Sequence, residues 1–342
     1  MLLFLSKTQC FKHFFYVRNI SKLEFNKETT LQSLYNNLAL RYSDLGEYNT
    51  ACEILQEGIS LGPNSNTDDI IFMKSNLACI YSNLGEYMKA ETLFKGSLNY
   101  LIKKYPQGNL LVLKAKEDYA LIKNELGEYD IAYTLLEDVL YNYINIFGDS
   151  HPFVALTKSN LAIVCRRKGL FDQSEILYIN ALDILSIQID KKNPKLSFIQ
   201  SNLAKLYINM KYYEQAKEYL EKAIEADKEN FGERHPNISI SQAKLGFVYA
   251  CQNEFDKAFY LINHAINQNI MSFGEDNIHL SYIKAYLARI YIMQDKKSDA
   301  IDLFTEVYMI RLKSFGENHP DTREIEIELK DLYKNEINFF IE

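Results

Sequence analysis

"SNLACIYSNLGEYMKA", residues 75–90, decides how this chain folds, because it returns along the sequence at a fixed offset. The copies are "EDYALIKNELGEYDIA" (117–132), "SNLAIVCRRKGLFDQS" (159–174), "SNLAKLYINMKYYEQA" (201–216), "AKLGFVYACQNEFDKA" (243–258) and "AYLARIYIMQDKKSDA" (285–300), a strict period of 42. An earlier copy, "NNLALRYSDLGEYNTA" (36–51), stands 39 residues before the first of these, and "IELKDLY" (327–333) is a final half-copy. Seven repeats and a half thus run from about residue 31 to 335, and self-similarity at such a period is the signature of a solenoid.

Apolar spacing gives the content of one repeat. Leu161, Ala162 and Cys165, then Ser174, Tyr178, Ala181, Leu182 and Leu185, fall at three- and four-residue intervals with a break between the two sets. That is one face of a helix, a turn, and one face of a second helix. At the break stand Gly46, Gly85, Gly127 and Gly169, where a left-handed backbone ends the first helix, and then Lys211, Asn253 and Asp295, which predict strained later turns. Where the paired helices cross, a small side chain recurs: Ala51, Ala90, Ala132, Ser174, Ala216, Ala258 and Ala300.

The "NLA…Y…G.Y..A" core and the "FG..HP" junction resemble the tetratricopeptide repeat (TPR), in its 42-residue kinesin-light-chain-like variant. The resemblance covers about nine tenths of the chain. It implies an all-α, right-handed α-solenoid of seven helix-turn-helix repeats over residues 28–342, centred near 38, 77, 119, 161, 203, 245 and 287, with a capping helix near 329. It does not extend to a heptad-rich region for heavy-chain pairing.

The junctions "FGDSHP" (147–152), "FGERHP" (231–236) and "FGENHP" (315–320) place His151, His235 and His319 84 residues apart. A metal ion would need two of them within about 2.1 Å, whereas packed helices lie about 8–10 Å apart, so copies two repeats apart cannot share one. The expected roles are structural: Gly caps one helix, Phe enters the core, and Pro opens the next helix, where no N–H is needed.

Composition narrows the function. The formal charge is −7 with scattered Lys and Arg, which offers no basic surplus for nucleic acid. No apolar run reaches the length of a membrane span. Cys10, Cys52, Cys79, Cys165 and Cys251 have wide, irregular spacings that fit neither a zinc ribbon nor a disulfide framework. Nucleotide-binding, metalloprotease and nucleophile-elbow motifs are absent, so the expected protein is non-enzymatic and needs no cofactor or metal. Asn19-Ile-Ser21 and Asn237-Ile-Ser239 match the glycosylation pattern without a secretory signal to support it.

A helical-hairpin solenoid binds along its concave face. The TPR resemblance places there the residue before the "LA" pair: Asn37, Asn76, Asp118, Asn160, Asn202, Lys244 and Tyr286. An amide offers both donor and acceptor to an extended main chain; the competing role is to hold a neighbouring helix. One turn away stand Arg166, Arg167, Lys205 and Arg289, a basic stretch with Lys244, whereas the first three repeats present Asp44, Glu117, Asp118 and Glu125. The expected ligand is an acidic protein or peptide segment held by charge-assisted hydrogen bonds. The expected function is a protein-interaction scaffold or adaptor. The alternative is a stoichiometric assembly factor or structural subunit of a larger complex, in mitochondria a respiratory one.

Residues 1–27 differ from the array. Lys7, Lys12, Arg18 and Lys22 are interleaved with Phe and Leu, with no acid before Glu24. Two readings stay open: a mitochondrial presequence, or a helix that caps the first repeat. The first places the protein in mitochondria, the second in the cytoplasm.

Overall fold

A computed structural model describes residues 31–44, 48–61, 68–188, 193–233, 236–275 and 277–339. The N-terminal segment 1–27, Gly46 and His235 lie outside them. Fifteen helices make up the described residues. Four hairpins come first: α1 (Leu31–Asp44) with α2 (Tyr48–Ser60), α3 (Asp68–Asn83) with α4 (Tyr87–Lys104), α5 (Leu110–Glu125) with α6 (Tyr129–Phe147), and α7 (Pro152–Arg167) with α8 (Phe171–Gln188). Three more follow: α9 (Pro194–Asn209) with α10 (Tyr213–Phe231), α11 (Pro236–Cys251) with α12 (Phe255–Phe273), and α13 (Ile278–Met293) with α14 (Lys297–Phe315), then the single helix α15 (Pro320–Phe339). The chain forms two compact units that divide between Gln188 and Ile189. The first holds four hairpins; the second holds three and α15.

Within a hairpin, packing explains the recurrent small residue. Ala51, Ala90, Ala132, Ala216, Ala258 and Ala300 are wholly buried, and so is Ser174, whose hydroxyl donates to the Ala162 carbonyl at 2.7 Å. Any larger side chain there would push the helices apart. Within each unit, a first helix packs on the second helix of the hairpin before it. In the first unit Leu161 and Val164 of α7 meet Leu136 of α6; in the second, Ile283 and Leu287 of α13 meet Ile262 of α12.

The turns adopt the left-handed backbone expected of them. Gly85, Gly127 and Gly169 have φ near +78°, and Lys211, Asn253 and Asp295 sit at +63°, +64° and +58° despite their side chains. Both kinds close with the same hydrogen bond: the Glu86 N–H donates to the Tyr81 carbonyl at 2.8 Å, and the Tyr212 N–H to the Tyr207 carbonyl at 2.8 Å.

At the junctions the Phe-Gly-x-x-His-Pro sequence is a helix-to-helix joint. Gly148, at φ +82°, donates its N–H to the Ile144 carbonyl, and Pro152 opens α7. His151 does more than turn the chain. Its Nδ1 accepts the Phe153 N–H at 3.2 Å, which makes it the N-cap of α7, and its ring stacks 4.3 Å from that of Phe147. His319 repeats this: Nδ1 accepts the Asp321 N–H at 3.1 Å while the ring stacks 4.1 Å from Phe315. Asn109, Asn193 and Asn277 fill the same slot in other repeats and cap with a side-chain oxygen.

Candidate functional site

First and second helices differ in what they show to solvent. In α5, α7 and α13 the side chains are buried or half-buried nearly throughout, with Ile292 and Met293 at the end of α13 the exceptions, while α6, α8 and α14 alternate buried and exposed positions. These first helices are therefore enclosed by their neighbours. What they leave open is a few half-buried polar side chains.

The expected ligand residues divide by burial. Asn76, Asn160, Arg166 and Lys244 are buried; Asn37, Arg167, Asn202, Lys205 and Arg289 are half-buried. Asn76, Asn160 and Lys244 hold first helices together. Asn76 Nδ2 donates to Asn36 Oδ1 at 2.6 Å, joining α3 to α1. Lys244 of α11 donates to the Ser201 hydroxyl of α9 at 2.9 Å and to the Ser201 carbonyl at 3.1 Å, and Ser201 also meets Ser241. Asn202 donates to the Phe198 carbonyl one turn back on its own helix.

Asn160 belongs to a buried ionic cluster in the first unit. Lys114 Nζ donates to Asp118 at 2.7 Å and to Glu117 at 3.2 Å, four and three residues along α5. Across the hairpin boundary, Thr157 and Asn160 of α7 each donate to Glu117 Oε1 at 2.9 Å. Glu117 and Asp118, expected to give the early repeats an acidic inner face, are thus 1% and 3% exposed and neutralised in part by Lys114. Sequence reading passed over Lys114, although its i, i+3 and i+4 spacing from two acids is visible in the sequence.

The half-buried cations are engaged as well. Arg289 of α13 donates to Glu328 at 2.5 Å and to Glu324 at 2.8 Å, both on α15. Burial works against its charge, and the Glu328 hydrogen bond and charge outweigh that and raise its affinity for the proton. Lys205 Nζ lies 5.6 Å from the centre of the Tyr282 ring, so a side chain of α9 reaches one of α13 past the intervening first helix. Tyr282 also carries the Arg311 guanidinium 4.8 Å from its ring centre and donates its hydroxyl to Asp321 at 2.9 Å. In the second unit this brings Lys205, Tyr282, Arg311 and Asp321 together, with Arg289 tied to α15.

Cys52, Cys79 and Cys165 are buried in hairpin cores, and burial pushes the Cys52 and Cys165 thiols up to about 11. Burial also lowers the affinity of His151 for its proton, in keeping with a neutral ring that accepts at Nδ1. No described helix is long and apolar enough to cross a membrane.

Family comparison adds to this geometry. Two tetratricopeptide repeat models match, one over residues 111–187 and 195–270, the other over 31–61 and 282–321, together about two thirds of the chain. Among solved structures, a Rap protein complexed with Competence and Sporulation Factor is similar at 11% identity and a TM-score of 0.62, over 95% of this chain and 92% of that one. NprR in complex with its cognate peptide NprX is similar at 13% identity and 0.62, over 96% and 92%. BtubC (BKLC) from P. vanneervenii is similar at 21% identity and 0.48, over 72% and 94%. Comparison with curated proteins gives no match. Repeat spacing, hairpin packing and model matches agree: this chain belongs to the tetratricopeptide repeat family.

Proposed function

We propose that this chain is a non-enzymatic interaction scaffold that captures an acidic segment of a partner protein on the first-helix face of its second unit. The observation that carries the reading is the meeting of Lys205 and Tyr282 from first helices two repeats apart, beside the half-buried Asn202. A cation, an amide and an aromatic ring within one open strip can hold a carboxylate, a main-chain amide and an apolar stem in turn. The likeness to NprR supports a peptide ligand, since that structure holds its cognate peptide. Asn37 and Arg167 would play the corresponding part in the first unit.

The test is capture of native partners by the purified chain, with Lys205→Glu and Asn202→Ala beside it. Lys205→Glu should weaken capture by about 2 kcal/mol or more, and the effect should shrink at high salt because exposed charges are screened over about 10 Å at 0.1 M. Melting should change by no more than about 0.5 kcal/mol. Unchanged capture by a normally melting Lys205→Glu variant would exclude this face. Partners that survive high salt in fixed proportion would favour the assembly-factor or structural-subunit reading instead.

A further inference from the structure

In every later hairpin the same two slots of the first helix are buried or nearly so, and within each unit the second helix before it covers them. Counting back 17 and 13 residues from the small crossing residue gives Met73 and Leu77 before Ala90, and Ile283 and Leu287 before Ala300. These are 1%, 5%, 1% and 6% exposed. The same count from Ala51 gives Leu34 and Leu38, which are 53% and 50% exposed. Two leucines four residues apart on α1 thus stand open where six later copies are covered or nearly so, and such a face on an end repeat calls for a cap.

The covering helix has its own spacing. Ala90, Phe94, Ser97 and Leu101 of α4 and Ala300, Phe304, Val307 and Arg311 of α14 follow the intervals four, three, four, and all eight are buried. Cys10, Phe14, Val17 and Ser21 have the same intervals and the same order of small, aromatic, then small or β-branched residue. The connection also fits. Gly58, at the third of these positions in α2, lies so close to Met73 that an added Cβ would stand 2.5 Å from its Cε, so the third position seats on the first of the two slots. That separation is 15 residues from Gly58 to Met73 and 18 from Ser97 to Ala115; from Val17 to Leu34 it is 17.

We propose that residues 10–21 of this same chain are the missing second helix, with Val17 seated on Leu34 and Phe14 on Leu38. The N-terminal segment is then a retained cap of the array, and its basic side chains stay on the protein instead of leaving with a leader.

Hydrogen exchange of the full 342-residue chain, read over 31–44, tests this directly. Phe14→Glu should speed exchange there about tenfold or more while 278–293 keeps its rate, and Lys12→Glu, which changes the same segment without touching the seated positions, should leave both unchanged. Phe14→Ala and Leu38→Ala should be non-additive, the double variant exchanging no faster than the worse single, as for residues in contact. If Phe14→Glu collapses the chain, Val17→Ala and the double-variant comparison still decide the matter. Unaltered exchange over 31–44 in these variants would overturn the proposal, as would protein recovered from its native cells with a first residue beyond Ser21. A dimer that Leu38→Glu dissolves and Phe14→Glu does not would assign the face to a second copy, against the proposal.

Discussion

The two units solve one packing problem with different chemistry. In the first unit, the second-helix position eleven residues after the small crossing residue is apolar or aromatic: Leu101, Tyr143 and Leu185, all nearly or wholly buried. In the second unit, the same position 42 residues on holds Asp227, Asn269 and Arg311, equally buried. Asp227 accepts from the Ser197 hydroxyl and Arg311 donates to the Asp321 carbonyl at 2.8 Å. Asn269 is wholly buried, and neither atom of its amide has a partner among the described residues. The turns differ in parallel: glycine at φ near +78° in the first unit, Lys211, Asn253 and Asp295 at +58° to +64° in the second. Each unpartnered buried polar group costs about 1–3 kcal/mol and a left-handed backbone about 1–2 kcal/mol in a residue with a Cβ. At Asn269 and at these three turns the second unit keeps the shape of the repeat at a local cost, and it is the unit in which the proposed ligand face lies.

The largest effect should come from exchanging the buried side chains. Asn269→Leu places in the second unit what Leu185 supplies in the first, and it should stabilise its hairpin by about 1–3 kcal/mol. The reciprocal Leu185→Asn, at a wholly buried site, should cost about 3 kcal/mol. Amide exchange resolved by hairpin is the proper readout, because a repeat array does not unfold as one unit. If Leu185→Asn proves harmless, burial at this layer is not what separates the two units.

Exchanging turn residues should do less. Lys211→Gly relieves the left-handed strain and loosens the unfolded chain, for a net gain of about 0.5–1 kcal/mol. Gly169→Lys should lose a similar amount through the backbone alone, since a Cβ there would meet nothing within 4 Å. Equal melting of Lys211→Gly and the parent chain would remove the turns from the comparison.

The smallest effect is a pH dependence at the first unit's histidine cap. Burial holds His151 below the ordinary histidine pKa, which is about 6.5 in the unfolded chain. The cap's contribution is thus complete above about 6.5 and is lost as pH falls through the lower folded value. Between pH 7 and 5, exchange at the start of α7 should quicken in the parent and not in His151→Asn, which installs the cap used at Asn109 and Asn193. A parent and variant with the same pH profile would separate the cap from the proton.

Sequence alone determined the helical-hairpin repeat, its number and its small crossing residues, because hydrophobic period and left-handed turns are properties of a few adjacent residues. It also assigned "FG..HP" to structure, although the histidine's cap through Nδ1 needed coordinates. Its reading of the ligand face was less complete. Residue type and register place Asn76, Asn160, Lys244 and Arg289 toward neighbouring first helices, but whether a polar side chain there meets solvent or another helix depends on what stands opposite it. Asn160 meets Glu117 from 43 residues away and Arg289 meets Glu328 from 39. Those pairings are set by how closely successive hairpins stack, which only the tertiary structure decides, because the energy of a buried polar group lies in its partner and not in its own position along the chain.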